Sequence, residues 1–168
     1  DNKAVKDENI KNYETIQKLS SNLASAESFS SKMAYENEIL KDNTITRIYD
    51  VQLDAVKAKY IERLGDKDSG FQYDDNEDNG YKITKSFDGN TESWWVFDKT
   101  IDILMEISVK LQPHKFDKNR TIAIISTNLM EKTRYSNKPF AAQTDSDKIE
   151  LYQKKALRLL EGNLKYSK

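Results

Sequence analysis

An acidic stretch between Asp66 and Glu77 has the residue types and the spacing of a cation site. Counted from Asp66, the carboxylates of Asp66, Asp68, Asp74 and Glu77 stand at positions 1, 3, 9 and 12. Calcium loops of the EF-hand type use these positions, because one loop must wrap its oxygen atoms around a hard cation. Position 6, however, is Phe71 where such loops require glycine, and no convincing helix follows Glu77. Calcium is therefore a candidate ligand, and a solvated acidic loop is the alternative.

The side chains that most enzymes use as nucleophiles and metal ligands are scarce in this chain. It contains no cysteine, and His114 is its one histidine. A thiolate nucleophile, a disulfide and a metal site with two imidazole ligands are therefore excluded within the chain. His114 follows Pro113 in a predicted loop, which is typical of a surface histidine. Carboxylate-pair catalysis stays open because there are 28 acidic residues, although no acid has an apolar sequence setting that would clearly raise its pKa.

Trp94 and Trp95 are the candidates for contact with a ligand or a partner. If their segment is helical, the two side chains point about 100° apart, and Trp95 falls on the polar side of the helix. A partly exposed tryptophan often anchors a partner protein or a sugar ring. The tract from Lys132 to Phe140 mixes cations with aromatics, as nucleic-acid sites do, but it is short and the net charge of the chain is −1. We therefore predict no nucleic-acid partner.

The segment from Thr91 to Leu111 holds both tryptophans and is the most apolar stretch of the sequence. Read with the period of a helix, its apolar residues fill a broad face, while Asp102 and Glu106 share a polar stripe. Read with period two, apolar residues alternate with mostly polar residues from Ile101 onward, as in a strand. A run of this length is long for a strand and ordinary for a helix, so the helix is favoured.

Two helices are predicted ahead of that segment. The first covers residues 4–41 and has apolar and small residues at alternating steps of three and four, which is a heptad pattern. Its members are Ile16, Leu19, Leu23, Ala26, Ser30, Met33, Asn37 and Leu40. The second covers residues 44–64 and would return along the first as an antiparallel hairpin, since the connection is short. The heptad pattern would then belong to an intramolecular bundle, with an intermolecular coiled coil as the alternative.

These elements predict a mainly α fold in a single domain of residues 1–168. Its parts are a helical hairpin at 1–65, an acidic irregular loop at 66–90, and a core element at 91–168 that ends with a C-terminal helix at 147–164. A small β-hairpin across the turn signal Asp88–Asn90 is a further option. The alternative is an α+β fold, with an antiparallel sheet covered by the terminal helices. Its strands would lie at 81–87, 93–98, 101–111 and 120–127.

The scarcity of catalytic residue types predicts a non-enzymatic protein-interaction or binding domain with an unidentified protein partner. An extracytoplasmic domain that senses or binds a small ligand is the first alternative, and a carboxylate-based hydrolase is the second. No run of about 18 apolar residues is present, so no transmembrane segment is predicted. Because the chain begins with Asp1 and not with Met, we interpret it as a trimmed or mature fragment, and a secreted protein or a lipoprotein is one hypothesis for its origin. No cofactor is predicted beyond the candidate calcium.

Overall fold

The computed structural model describes residues 2–40, 45–94, 97–134 and 137–167, and for residues 92–94, 97 and 98 it describes the backbone. The chain divides into two compact units, residues 1–42 and 43–168. The first unit is the helix α1 (Asn2–Leu40), and no residue of this helix is buried. The second unit holds the sheet, two further helices and the hydrophobic core.

The second unit is an α+β fold built on one antiparallel sheet. Its helices are α2 (Leu53–Leu64) and α3 (Ser146–Glu161), and a short 3-10 helix spans Lys67–Ser69. Its described strands are β1 (Ile45–Tyr49), β2 (Phe71–Asp74), β3 (Gly80–Trp94), β4 (Phe97–Pro113), β5 (Thr121–Thr133), β6 (Ala141–Ala142) and β7 (Tyr166–Ser167). The order across the sheet is β2-β3-β4-β5-β1-β7, and β6 pairs with β5.

The predicted mainly α bundle is wrong, and its error begins in the central segment. Residues Ile101 to Leu111 lie within β4, which pairs with β3 on one side and with β5 on the other. The alternation that the sequence showed is the burial pattern of this strand, because successive side chains point to opposite faces of a sheet. Ile103, Met105 and Ile107 are buried, and Glu106 between them is exposed.

The predicted N-terminal helical hairpin is also wrong. After α1 the chain forms β1, whose residues pair antiparallel with β5 from Ile45↔Ile125 to Tyr49↔Thr121. Ile45, Ile48 and Tyr49 are β-branched or aromatic residues, which favour a pleated and partly buried surface. The helix that follows is therefore α2, which is shorter than the predicted helix of residues 44–64.

The core lies between one face of the sheet and the two helices α2 and α3. The helices contribute Val56, Tyr60, Leu64, Tyr152, Ala156, Leu157 and Leu160. The sheet contributes the alternating buried residues of β3, β4 and β5, together with Tyr49 of β1. The α+β alternative thus describes the class of the fold, but the helices that cover the sheet are α2 and α3.

The turn signal at residues 88–90 is a β-bulge inside β3 and not the turn of a hairpin. The register of β3 against β4 shifts between Phe87↔Ile103 and Asn90↔Ile101. Gly89 has a φ of 73°, which glycine adopts without the steric cost that a Cβ atom adds. Its backbone N–H donates to Asp102 Oδ1 at 2.9 Å, and Arg134 Nη2 donates to the same oxygen at 2.8 Å. Asp102 of β4 therefore links the bulge in β3 to Arg134, which directly follows β5.

Asp102 should make the protein more stable at neutral pH than in acid. The Gly89 N–H and the Arg134 guanidinium lower the pKa of Asp102 below its ordinary 3.8. A depressed folded-state pKa adds stability above the unfolded-state pKa, and this contribution disappears as the pH falls through the folded-state value. We expect Asp102→Asn to lower the melting temperature at pH 7. The difference from the parent should vanish when the pH falls below the folded-state pKa of Asp102.

The control for this prediction is Glu106→Gln, which removes an exposed carboxylate from the same strand and the same face of the sheet. Thermal unfolding followed by circular dichroism from pH 2 to pH 7 compares the two variants with the parent chain. A deficit of Asp102→Asn that persists unchanged at the acid end would contradict the role of the carboxylate charge.

Candidate functional site

The helix α1 exposes an unusual number of large apolar side chains. Eight large apolar side chains of this helix are between 41 % and 65 % exposed. They are Val5, Ile10, Tyr13, Ile16, Leu19, Leu23, Phe29 and Met33. Exposed apolar residues that stand singly are normal, but a contiguous row of them marks an interaction surface.

The heptad positions of α1 form a stripe on this helix, which we call the α1 seam. It consists of Ile16, Leu19, Leu23, Ala26, Ser30, Met33, Asn37 and Leu40. Ile16, Leu19 and Leu23 are each more than 60 % exposed, and Leu40 at the end of the helix is half-buried. Residues three and four apart meet on one side of a helix, so these side chains form a continuous row.

The middle of the helix is poor in strong helix formers. Six of the twelve residues from Ser20 to Ser31 are serine, which forms helix less readily than alanine. The first turn holds no acidic residue and the last turn no basic one, so the ends of the helix lack the charges that its dipole favours. In soluble proteins most helical stability comes from packing of an apolar face. The α1 seam is therefore a surface that gains stability when it is covered.

Of the candidate contact residues Trp94 and Trp95, the backbone of Trp94 is described and ends β3, next to the tip of the β3–β4 hairpin. Trp94 pairs with Phe97 in the backbone register of these strands. Trp95 and the side chain of Trp94 lie outside the described residues. Their proposed contact with a partner thus stays a prediction.

The candidate calcium residues do not form the loop that the spacing suggested. Asp66 caps the 3-10 helix through Oδ1, which accepts the N–H of Asp68 at 3.0 Å. The next residues form β2, and Asp74 at its end accepts the N–H of Asn76 at 2.9 Å. Glu77 lies 3.5 Å from Lys82 Nζ. Within the described part of the chain, no three His, Asp or Glu side chains are grouped so that they could hold a metal ion.

A polar cleft of about 330 Å³ lies beside this segment. Its walls are residues 75–81 and the side chain of Lys57 from α2. Lys57 Nζ donates to Asn79 Oδ1 at 3.0 Å, and the carbonyl oxygen of Asn79 accepts the N–H of Leu111 at 2.8 Å. This cleft is lined mainly by Asp, Asn and Glu, and Tyr81 is the aromatic residue in its wall.

A buried polar network, which the sequence reasoning missed, joins both helices to one side of the sheet. Glu161 at the end of α3 is 3 % exposed, and its Oε2 lies 2.9 Å from Arg47 Nε of β1. The same oxygen accepts the hydroxyl hydrogen of Tyr49 at 2.8 Å. Because Tyr49 uses its one O–H there, Tyr60 of α2 must donate to the hydroxyl oxygen of Tyr49. The guanidinium carbon of Arg47 lies 3.7 Å from the ring centre of Tyr166.

Burial controls the protonation of this network. Desolvation raises the pKa of Glu161, although the Tyr49 hydroxyl and the Arg47 charge act in the opposite direction. Desolvation also raises the pKa values of Tyr49 and Tyr60, so both phenols stay protonated at neutral pH. One signal in the sequence could have identified Glu161: it directly follows Leu159 and Leu160 at the end of an amphipathic helix. The network is enclosed, and we interpret it as structural.

His114 is buried and not the surface residue that the sequence suggested. It is 4 % exposed, and its Nδ1 accepts the backbone N–H of Phe116 at 3.1 Å. The backbone N–H of His114 donates to the carbonyl oxygen of Arg120 at 3.1 Å. These bonds close the loop between β4 and β5 and give the histidine a local structural role.

Comparisons with known proteins add no assignment. No protein-family model, curated protein or solved structure matches the chain. In addition, no helix among the described residues is long and apolar enough to cross a membrane. A functional hypothesis must therefore come from the residues themselves, and the α1 seam is the surface that carries one.

Proposed function

We propose that this protein is a non-enzymatic interaction domain that binds another protein chain through the α1 seam. The observation that carries the proposal is the exposure of a row of large apolar side chains on a helix of 39 residues without one buried residue. An amphipathic helix presents such a row, at steps of three and four, to a partner groove or a partner helix.

The second unit supports this proposal because its core contains no residue of α1. The residues of that core come from the sheet and from α2 and α3. Covering the α1 seam would bury apolar surface. Each Å² of apolar surface removed from water contributes roughly 25 cal/mol to the free energy of binding. The seam is thus a candidate for binding and not a part of that core.

Site-specific photo-crosslinking tests the proposal. A benzophenone amino acid replaces either Leu19, which lies on the α1 seam, or Ser21, which lies in the same turn about 200° away. After irradiation of the full chain in an extract of its source cells, mass spectrometry identifies the crosslinked chains. We expect position 19, and not position 21, to crosslink to one defined protein chain, which can be a second copy of this chain. The complex should form again from purified components and be lost in Leu19→Glu.

Leu19→Glu should leave the second unit intact, because no residue of α1 is buried. We expect its free energy of unfolding to stay within about 0.5 kcal/mol of the parent value, as for other surface substitutions. Equal crosslinking from the two positions, or none from either, would refute the proposed function.

A further inference from the structure

The spacing of the α1 seam points to one kind of partner, a second long helix. The seam repeats every seven residues from Ile16 to Leu40. On a straight helix such a stripe drifts by about 20° in each heptad, so a flat or straight partner loses contact with it after one or two heptads. A helix that winds around α1 follows the stripe along its whole length, as in a coiled coil.

The polar members of the seam indicate which helix this is. We infer that α1 pairs with α1 of a second copy of this chain, in parallel and in register; this inference rests on the proposed function of the seam. In heptad notation Ile16, Leu23, Ser30 and Asn37 occupy a positions. A parallel pair in register sets identical a residues against each other, so Asn37 meets Asn37 and Ser30 meets Ser30, and their side chains satisfy one another.

The antiparallel arrangement of two copies fits the same residues poorly. Centred on the seam, it would set Asn37 against Leu19 and Ser30 against Ala26. The amide of Asn37 would then be buried against an apolar side chain without a hydrogen-bond partner. The partner helix of an unrelated protein would need its own polar residues at both layers. A second copy in parallel supplies them by symmetry.

Charges beside the seam are compatible with this pairing. In a parallel dimer each g residue faces the e residue of the next heptad in the other copy. The pairs are Thr15–Ser20, Asn22–Glu27 and Phe29–Ala34. None of them sets two like charges together, and the amide of Asn22 can donate to the carboxylate of Glu27. Phe29, which is 65 % exposed, would cover the seam from the side.

The exposed area on and beside the seam approaches that of a standard interface. Five large side chains on and beside the seam (Ile16, Leu19, Leu23, Phe29 and Met33) are between 41 % and 65 % exposed. Covering them removes on the order of 600 Å² per chain from water, before smaller residues are added, against the roughly 800 Å² per partner of a standard interface.

The chain offers a clean test because it has no cysteine. Ala26→Cys places a thiol on the seam, and Ala24→Cys makes the same substitution about 200° away on the same helix. A disulfide requires Cα atoms within about 7 Å, which the seam of a parallel dimer provides and its outer face does not. Under mild oxidation we expect the full chain with Ala26→Cys to form a covalent dimer and the chain with Ala24→Cys to stay monomeric.

Sedimentation equilibrium of the cysteine-free chain measures the association itself. We expect a reversible dimer, and Leu23→Glu should weaken it by at least about 30-fold, as for a central anchor residue of an interface. A monomer at all concentrations, or equal disulfide formation from positions 24 and 26, would overturn the inference. So would a disulfide that forms only when Ala26→Cys and Ser30→Cys chains are mixed, because that result shows an antiparallel pair. Seam-specific crosslinks to a different protein, from a monomeric chain, would refute self-association and keep the proposed function.

Discussion

Arg47→Met should lower the free energy of unfolding at pH 7 by about 3 kcal/mol or more. Arg47 and Glu161 are 7 % and 3 % exposed, and their charged atoms lie 2.9 Å apart. Removing the cation leaves a carboxylate enclosed in the molecule without a counter-charge, and breaking a buried pair in this way typically costs about 3–5 kcal/mol. Urea denaturation followed by fluorescence measures the loss.

The loss should shrink in acid. Burial already raises the pKa of Glu161 in the parent chain, and the charge of Arg47 limits that rise. Without Arg47 the pKa rises further, so Glu161 takes up a proton at a higher pH. A raised folded-state pKa adds stability below the unfolded-state value of about 4.5, and this contribution is lost as the pH rises through the folded-state value. The deficit of Arg47→Met should therefore be greatest at neutral pH and smaller near pH 4.5 and below.

A double variant separates charge from packing. Glu161→Gln in the Arg47→Met background removes the buried carboxylate but keeps an oxygen that accepts from Tyr49, so most of the lost stability should return. If the double variant is no more stable than Arg47→Met, the loss came from the contact between Arg47 and the Tyr166 ring. The control is Lys154→Met, which breaks the exposed Lys154–Glu150 pair of α3 and should cost less than about 0.5 kcal/mol.

The helices of this fold were easier to predict than its sheet. The heptad pattern predicted a helix at residues 4–41, and α1 is observed at Asn2–Leu40. The C-terminal helix was predicted at 147–164 and α3 is observed at Ser146–Glu161. In both segments an apolar stripe of helical period runs without a competing period of two, and Asp145 caps α3 through its side chain.

The central sheet was missed because both periods fit the segment from Ile101 to Leu111. Strand length was the deciding criterion, and it failed: β4 has 17 residues, whereas strands commonly have about 5 or 6. Such a strand is stabilised by its neighbours β3 and β5, which pair with it along most of its length. The residues that pair with Ile101 to Leu111 lie outside this segment, so its own apolar pattern holds no information about them. Ile45–Tyr49 shows the same effect, because its partner β5 lies about 75 residues away.

The candidate sites also differ in whether the sequence alone could predict them. The α1 seam could be predicted because a heptad pattern is local and sequential. The Arg47–Glu161 pair could not be predicted from sequence, because its members are far apart in the chain and meet only when β1 and α3 come together in the fold. The acidic residues from Asp66 to Glu77 have the spacing of a calcium loop, and calcium binding by them stays a prediction. Among them, Asp66 and Asp74 accept backbone N–H groups as a local cap and a turn acceptor. Spacing alone therefore did not identify how these side chains are used.

The core and the α1 seam should respond separately to substitution. Substitutions on the seam should change association and leave the unfolding of the second unit almost unchanged, because no residue of α1 is buried. Substitutions in the core between the sheet and α3 should change stability and leave the α1 seam intact. This division allows association and stability to be measured independently in one set of variants.

Leu157→Ala should lower the free energy of unfolding by about 3 kcal/mol. Leu157 is 1 % exposed in the core beneath α3, and removing its buried methyl groups loses their transfer free energy and leaves a cavity, which together cost about 2–5 kcal/mol. Leu151→Ala is the matched control, because Leu151 lies on the same helix and is 51 % exposed, so its loss should stay within about 0.5 kcal/mol. Urea denaturation measures both losses. Equal losses from the two variants would show that α3 does not pack on the sheet through the face that carries Leu157.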